Sequence, residues 1–315
     1  MTPQEEWRKK VRRILEDPEG RNALREFGID VELHDDTAKE TKPTVVLLCP
    51  TYRNPEAQTR DALARMVKHT NESGKATIYG GPPVQASVVH WSRNWLIGEH
   101  IKSGKPWTHA LYSDDDMTPP EDAVLRLLSA KKDIIAGHCT RRNDPPIPNI
   151  RFYDKETGET RQIWEWPEGQ IFEVDSVGTG FMLLSQNALE QVAQVYFDCL
   201  YEKEFYGLAG AQLDRLRDVR LKKFDADKIC YWFRFLPTPK GDIEMGEDVC
   251  FCFLATRYCG LKVFVDDAVR PGHIGPYAYS INDFLPYRDV CIERAKRAGT
   301  YKVQPRLEAE IQLVG

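Results

Sequence analysis

Short apolar runs alternate with amphipathic stretches along the middle of this chain. Thr44 to Cys49 is a continuous run of β-branched and leucine residues, which is typical of a strand buried on both faces. A polar turn follows it, and then a helical pattern from Glu56 to His69. This order of strand, turn and helix predicts an α/β unit, in which ligands bind beside the strand ends.

The same alternation continues to about residue 265. The other predicted strands are Ala76 to Tyr79, Trp107 to Tyr112, Asp133 to Gly137, Phe172 to Val177, Phe181 to Leu184, Tyr231 to Leu236 and Lys262 to Val265. The other predicted helices are Val88 to Ser103, Glu121 to Leu128, Asn187 to Tyr196 and Val249 to Tyr258. The pattern therefore predicts an α/β fold.

Changes of composition divide the chain. Residues 1–42 form charged helical pieces and predict an N-terminal helical extension. Residues 43–280 form the main domain, in which 198–228 reads as a charged, mostly helical insertion and 141–171 as hairpins or loops. Residues 281–315 predict a C-terminal helical tail.

Composition narrows the class of protein. The chain has 315 residues, 42% of them hydrophobic, and a net charge of -5, which gives no overall attraction to nucleic acid or anionic membranes. No secretory signal and no run of roughly 18 apolar residues is visible, so we expect a cytoplasmic protein without a membrane span. The eight cysteines form no Cys-x-x-Cys pair, which favours buried reduced thiols over zinc ligands.

Three consecutive carboxylates, Asp114, Asp115 and Asp116, follow a predicted strand. Adjacent anions repel one another, so a fold tolerates them on a solvated turn or beside a cation. In an extended chain Asp114 and Asp116 project to the same side, and such oxygen ligands suit Mg²⁺ or Mn²⁺. The alternative is a helix N-terminus decorated with acids, which the helix dipole favours.

Several short motifs occur in a fixed order between about Thr44 and Tyr279. They are the first strand with Pro50-Thr51-Tyr52-Arg53, then Ser92-Arg93-Asn94, the Asp-x-Asp segment from Ser113 to Met117, Gly178-Thr179-Gly180-Phe181-Met182, Gly246-Glu247-Asp248-Val249 and finally His273. In this order and spacing they resemble the GT-A class of nucleotide-sugar glycosyltransferases. The resemblance covers roughly three quarters of the chain and implies a Rossmann-like three-layer α/β/α sandwich with a mostly parallel central sheet.

The resemblance also implies an activity. It is metal-dependent transfer of a sugar from a nucleotide-diphosphate donor, most simply a UDP-sugar, to an acceptor hydroxyl of a saccharide, a small molecule or a modified DNA base. One departure concerns the nucleotide: the second strand ends in Tyr79-Gly80-Gly81, where the class has an Asp-rich turn that binds the base. The choice of nucleotide therefore stays open.

The resemblance assigns roles to individual residues. Asp114, Asp116 and His273 would hold Mn²⁺ or Mg²⁺, although a histidine after Pro-Gly is also an ordinary loop residue. Asp248 would be the general base, which implies inversion at C1, and Glu247 would orient hydroxyls. Both acids also stand where a helix-capping carboxylate is common.

The remaining assigned residues would bind the donor. They are Pro50, Thr51, Tyr52, Arg53, Arg93, Asp114, Asp115 and Gly180. Arg93 could instead form an ion pair with a neighbouring aspartate, Tyr52 could be a packed aromatic, and Asp115 could face the ribose. Acceptor binding would fall to residues 141–166, 198–228 and 231–233.

Three other functions remain open from the sequence. A phage-type DNA glycosyltransferase acting on a hydroxymethylated base would use the basic cluster from Arg215 to Lys223. A sugar nucleotidyltransferase would need a glycine-rich pyrophosphate loop, which Thr51-Tyr52-Arg53-Asn54 lacks. A catalytically dead binding module would not need the four residues Asp114, Asp116, Asp248 and His273.

Overall fold

The computed structural model divides the chain into two compact units, Met1–Lys42 and Pro43–Gly315. It describes residues 42–51, 55–81, 88–143, 145–154, 159–199, 232–233, 235–237, 244–275 and 278–304. The predicted N-terminal helices, most of the 198–228 insertion and the end of the tail lie outside these ranges.

The main unit is built on a seven-stranded sheet. Its strands are β1 (Thr44–Leu48), β2 (Thr77–Gly80), β3 (His109–Ser113), β5 (Ile134–Gly137), β10 (Ile171–Val174), β12 (Phe181–Ser185) and β15 (Val263–Asp266). They are ordered β10-β15-β5-β12-β3-β1-β2, and only β10 and β12 run opposite to the rest of this sheet. The prediction of an α/β fold with a mostly parallel central sheet is confirmed.

Helices pack against this sheet. They are α1 (Ala57–Glu72), α2 (Val89–Lys102), α3 (Ala123–Ser129), α4 (Gln186–Cys199) and α5 (Glu247–Arg257). Alternate residues of β1 join separate apolar clusters: Val45 packs with residues of α1 and α3, and Val46 with residues of α2, α4 and α5. This alternation is the reason that the strand is an uninterrupted apolar run.

The remaining strands form small sheets that are separate from the central sheet. Their strands are β4 (Met117–Thr118), β6 (Thr140–Arg141), β7 (Ile147–Pro148), β8 (Ile150–Asp154), β9 (Glu159–Gln162), β11 (Ser176–Val177), β13 (Leu236–Pro237), β14 (Glu244–Met245), β16 (Gly272–Ile274) and β17 (Ala278–Tyr279). The β8–β9 hairpin and the β6–β7 pair agree with the hairpins predicted between residues 141 and 171.

Two predicted strands differ from the structure. The run Phe172 to Val177 splits into β10 and β11, which belong to different sheets, because Asp175 turns away and accepts a hydrogen bond from the backbone N–H of Tyr153 (2.7 Å). The prediction of a strand over Tyr231 to Leu236 is wrong at Trp232 and Phe233, which are not strand residues. These two aromatic residues are apolar because they are buried in the core.

The tail contains α6 (Ile281–Phe284), a 3₁₀ turn and α7 (Arg288–Arg297). Among the described residues, no helix has the length and apolar character needed to cross a membrane. Six cysteines carry free thiols in the structure: Cys49, Cys139, Cys250, Cys252, Cys259 and Cys291.

Candidate functional site

The aspartate turn leaves the carboxyl end of β3, in the middle of the central sheet. The Asp114 N–H donates to the Gly180 carbonyl (2.9 Å), and the Met117 N–H donates back to the Asp114 carbonyl (3.2 Å). The Ile274 N–H donates to the Asp116 carbonyl (2.7 Å). The chain therefore turns here instead of staying extended, and its carboxylates point to different partners. The expectation that Asp114 and Asp116 share one side of an extended chain is wrong.

Asp114 is held by a buried arginine of α2. Arg93 Nη2 donates to both carboxylate oxygens of Asp114 (2.7 and 3.0 Å), and Nη1 donates to Glu247 Oε1 (2.5 Å). Burial alone would lower the pKa of Arg93, but the two carboxylates outweigh burial and raise it. Of the two sequence interpretations of Arg93, the structure contains the ion pair with an aspartate. Through that arginine, the aspartate turn is connected to the start of α5.

Asp116 faces the other way, towards His273. Strands β4 and β16 pair with His273 opposite Met117, which places His273 Nε2 3.3 Å from Asp116 Oδ2. Arg142 Nη1 lies 3.0 Å from the same oxygen. Burial would raise the pKa of Asp116, but the contacts with His273 and Arg142 lower it overall. Asp116 Oδ1 is buried and has no hydrogen-bond partner among the described residues.

The orientation of the His273 ring is fixed from behind. Its Nδ1 lies 2.8 Å from the carbonyl oxygen of Thr140, and a carbonyl only accepts, so Nδ1 carries a proton. Nε2 is thereby directed at Asp116. Burial would lower the pKa of His273, but the hydrogen bonds to Asp116 and Thr140 raise it overall.

Asp115 joins the loop that follows β1. Thr51 Oγ1 donates to Asp115 Oδ2 (2.7 Å), and the Glu56 N–H donates to the Asp115 carbonyl (3.3 Å). Burial and the nearby aspartates raise the pKa of Cys49 to about 12. Pro50 is buried beside this cysteine. The predicted donor residues Tyr52 and Arg53 lie outside the described residues.

Asp248 lies in the first turn of α5 and borders a cavity of about 150 Å³. Burial and the neighbouring Glu247 raise its pKa, and Arg93 counteracts part of that rise. We call this space the Asp248 cavity. The residues that line it are Arg141, Asn149, Arg151, Ser176, Val177, Gly178, Gly246, Asp248 and Val249.

The residues proposed as metal ligands fit a divalent cation in part. Among the described residues, no three or more His, Cys, Asp or Glu side chains converge in the manner of a metal site. Asp114 is occupied by Arg93, whereas Asp116 and His273 are adjacent. The unpartnered Oδ1 of Asp116 and the directed Nε2 of His273 are donor atoms of the type that Mn²⁺ accepts.

Sequence reasoning missed Arg142 as a partner of Asp116, and it missed the guanidinium groups of the Asp248 cavity. Residues 141–166 were assigned only to the acceptor in general terms. A usable signal was present: Arg141 and Arg142 follow β5 within five residues, and β5 ends at the same edge of the sheet as the aspartate turn.

The comparisons with known proteins do not assign this chain to a family. No protein-family model and no curated protein matches this chain. Its fold shows a distant likeness to some solved structures. One is A197 from STIV, with 14% identity and a TM-score of 0.37 over 76% of this chain and 91% of that one.

Two further structures come from enzymes. One is a glycosyltransferase involved in the glycosylation of the major capsid of PBCV-1, with 13% identity and a TM-score of 0.29 over 52% of this chain and 69% of that one. Another is a nucleoside-diphosphate-sugar pyrophosphorylase from Vibrio cholerae RC9, with 8% identity and a TM-score of 0.36 over 70% of this chain and 90% of that one. Likenesses at these TM-scores carry no argument about function.

Proposed function

We propose that the protein is a metal-dependent glycosyltransferase with a GT-A three-layer fold. It would transfer a sugar from a nucleotide-diphosphate donor, in the first instance a UDP-sugar, to an acceptor hydroxyl. The observation that supports this most is the meeting of Asp116 and His273, which are far apart in sequence, beside an unpartnered carboxylate oxygen. Arg93 joins this edge of the sheet to α5, the helix that carries Asp248.

Asp116 and His273 would hold Mn²⁺ or Mg²⁺, and Asp114 would join them once released from Arg93. A bound divalent cation supplies Lewis-acid stabilisation of the charge that grows on a departing diphosphate. Arg93 is buried and permanently charged, so it can give up one carboxylate and bind a phosphate oxygen with the same donors.

Asp248 is the proposed base. An acceptor hydroxyl loses its proton as it attacks C1, and a carboxylate whose pKa is raised accepts that proton more readily. Glu247 holds Arg93 in place from the same turn of helix. A base in this position would imply inversion at C1.

Thr51 and Asp115 would border the nucleotide. Their hydrogen bond joins the loop after β1 to the aspartate turn, so both loops present polar groups at one edge. Pro50 follows the end of β1 and directly precedes Thr51, and Gly180 keeps the approach to Asp114 free of a side chain.

The test is thermal unfolding with nucleoside diphosphates, with and without Mn²⁺. A ligand that binds the native state raises the unfolding temperature. We expect UDP to stabilise the full chain only together with Mn²⁺, and Asp116→Asn to abolish the effect. Asp61→Asn, at an exposed position of α1, is the matched control. An equal shift without metal, or an unchanged shift in Asp116→Asn, would contradict the proposal.

A second variant separates binding from chemistry. Asp248→Asn removes the base but leaves the aspartate turn intact, so donor and Mn²⁺ binding should persist while sugar transfer falls at least about 100-fold. The measurement is the thermal shift with UDP and Mn²⁺ beside an assay of donor turnover. Undiminished transfer would place the base elsewhere.

The DNA-directed alternative rests on Arg215 to Lys223, which lie outside the described residues. It therefore keeps the standing of a sequence prediction, tested by the salt dependence of duplex binding.

A further inference from the structure

The Asp248 cavity contains more positive than negative charge. Arg141 and Arg151 line it together with one carboxylate, Asp248. Arg141 Nε is 3.4 Å from Asn149 Oδ1, and Arg151 Nη1 is 3.2 Å from Thr160 Oγ1, both neutral partners. Among the described residues, no carboxylate forms an ion pair with either guanidinium group, so their charges are available to a ligand.

Buried donors in the wall of the cavity also lack acceptors. Ser176 is 3% exposed, and its Oγ has no hydrogen-bond partner in the described part of the chain. The same holds for the buried Nε of Arg151. A buried donor without a partner is costly, so such groups indicate a bound molecule that presents acceptor oxygens.

Asn149 gives the cavity a fixed wall. A Cβ atom at Gly178 would lie 1.8 Å from Asn149 Nδ2, so the absence of a side chain at Gly178 is what lets this amide lie against the backbone. The Gly178 N–H also donates to the Asn149 carbonyl (3.1 Å). The amide then accepts from Arg141 Nε, which orients that guanidinium before any ligand arrives.

We propose that the Asp248 cavity binds the carboxylate of an acidic sugar, with Arg141 and Arg151 as the charged donors and Ser176 as a neutral donor. Two guanidinium groups face a single carboxyl group, Asp248, so the cavity is positively charged and an anionic carboxylate offsets that charge. About 10–15 Å³ holds one water molecule, so the 150 Å³ of the cavity admits a carboxylate with the ring atoms beside it. Only the identification of the ligand as a saccharide rests on the proposed function.

The test is calorimetric titration of the full chain with glucuronate and, in parallel, with glucose. We expect glucuronate to bind at least about tenfold more tightly, because a charge-assisted hydrogen bond distinguishes the two sugars. Equal affinity for the two sugars, or binding of glucose alone, would overturn the proposal.

Variants locate the binding site. Arg141→Gln should lower the affinity for glucuronate about tenfold or more while leaving glucose binding unchanged. Arg297→Gln, at an exposed position of α7, is the control. Arg141→Lys keeps the charge, and it should retain part of the preference even if Arg141→Gln unfolds. An unchanged preference in folded Arg141→Gln or Arg141→Lys would contradict the assignment.

The acidic sugar has two chemical sources, donor and acceptor. If it belongs to the donor, UDP-glucuronate should bind more tightly than UDP-glucose, and Arg141→Gln should remove the difference. If it belongs to the acceptor, glucuronate should bind to the complex already saturated with UDP and Mn²⁺. If UDP binds with Mn²⁺ but the chain shows no preference for glucuronate, the acidic-sugar site is wrong and the proposed function stands. If the chain prefers glucuronate but does not bind UDP, the proposed function is wrong and the site for an anionic carboxylate stands.

Discussion

Two clusters of aspartate, histidine and arginine lie at the carboxyl edge of the same sheet, and they differ in completeness. In the first cluster, Asp267 Oδ1 lies 2.7 Å from His138 Nδ1, and Oδ2 accepts from Arg270 (2.6 Å) and from the Gly169 N–H (2.7 Å). Both oxygens of this fully buried carboxylate are therefore occupied.

The second cluster is unfinished. Asp116 is 17% exposed at its side chain and directs Oδ2 at His273 and Arg142, while Oδ1 has no partner among the described residues. Arg142 is 51% exposed, so water competes for its contact. The difference teaches that similar residues can be satisfied to different degrees: the closed cluster has both carboxylate oxygens occupied, and the open one has an oxygen without a partner, as the proposed metal site requires.

The largest expected effect comes from breaking the closed cluster. Asp267→Ala leaves His138 and Arg270 without their acceptor and should lower the free energy of unfolding by about 3 kcal/mol or more. Asp116→Ala removes only partly exposed contacts and should cost less than about 1 kcal/mol. Denaturant unfolding of both variants measures the two values. Equal losses would mean that the open cluster is structural as well.

Acid should weaken the closed cluster. Burial lowers the pKa of His138 despite its hydrogen bond to Asp267, while Arg270, Trp166 and Phe172 complete its surroundings. The unfolded chain then binds a proton near pH 6.5 that the folded chain refuses. Stability is therefore complete above about pH 6.5 and falls below it, by up to about 1.4 kcal/mol per pH unit until the pKa of the folded state.

The contribution of His138 is measured by comparing the pH dependence of the unfolding free energy between variants. His138→Gln should flatten the loss of unfolding free energy between about pH 6.5 and pH 5. His69→Gln, at an exposed histidine of α1, should leave the loss as it is. An undiminished loss in His138→Gln would show that His138 does not cause the weakening by acid.

The smallest effect on stability is expected at Arg142. Arg142→Gln removes an exposed contact to Asp116 and should change the free energy of unfolding by less than about 0.5 kcal/mol. It also removes a positive charge that competes with a cation for Asp116, so Mn²⁺ should bind more tightly. Calorimetric titration with Mn²⁺ tests this, with Arg297→Gln as control. Weaker Mn²⁺ binding would make Arg142 part of the site rather than a competitor.

Much of the fold follows from hydrophobic period alone. The runs at β1, β3, β5 and β12 are apolar because alternate residues of these strands pack into two separate apolar clusters, and such runs are readable in a single sequence. The strand prediction fails at the buried pair Trp232-Phe233, because a short apolar run does not distinguish a strand from a packed loop. Its backbone is instead tied to Asn94, whose amide exchanges two hydrogen bonds with Phe233 (2.7 and 2.9 Å).

The site was predictable only in part. The order of the motifs predicts that Asp116 and His273 lie together, and the β4–β16 pairing places them side by side. Whether Arg93 binds a phosphate or an aspartate depends on distances in the folded chain, and the spacing of motifs along the sequence does not give those distances. The same holds for the guanidinium groups of the Asp248 cavity, which come from β6 and β8 and meet α5 only in the folded chain.

The most direct measurement is Mn²⁺ binding to the full chain in the presence of UDP, followed by electron paramagnetic resonance of the free ion. An open Asp116–His273 pair predicts that the wild-type chain and Asp61→Asn bind the ion. Asp116→Asn should bind it at least about tenfold more weakly. Equal binding by Asp116→Asn and the wild-type chain would contradict the account.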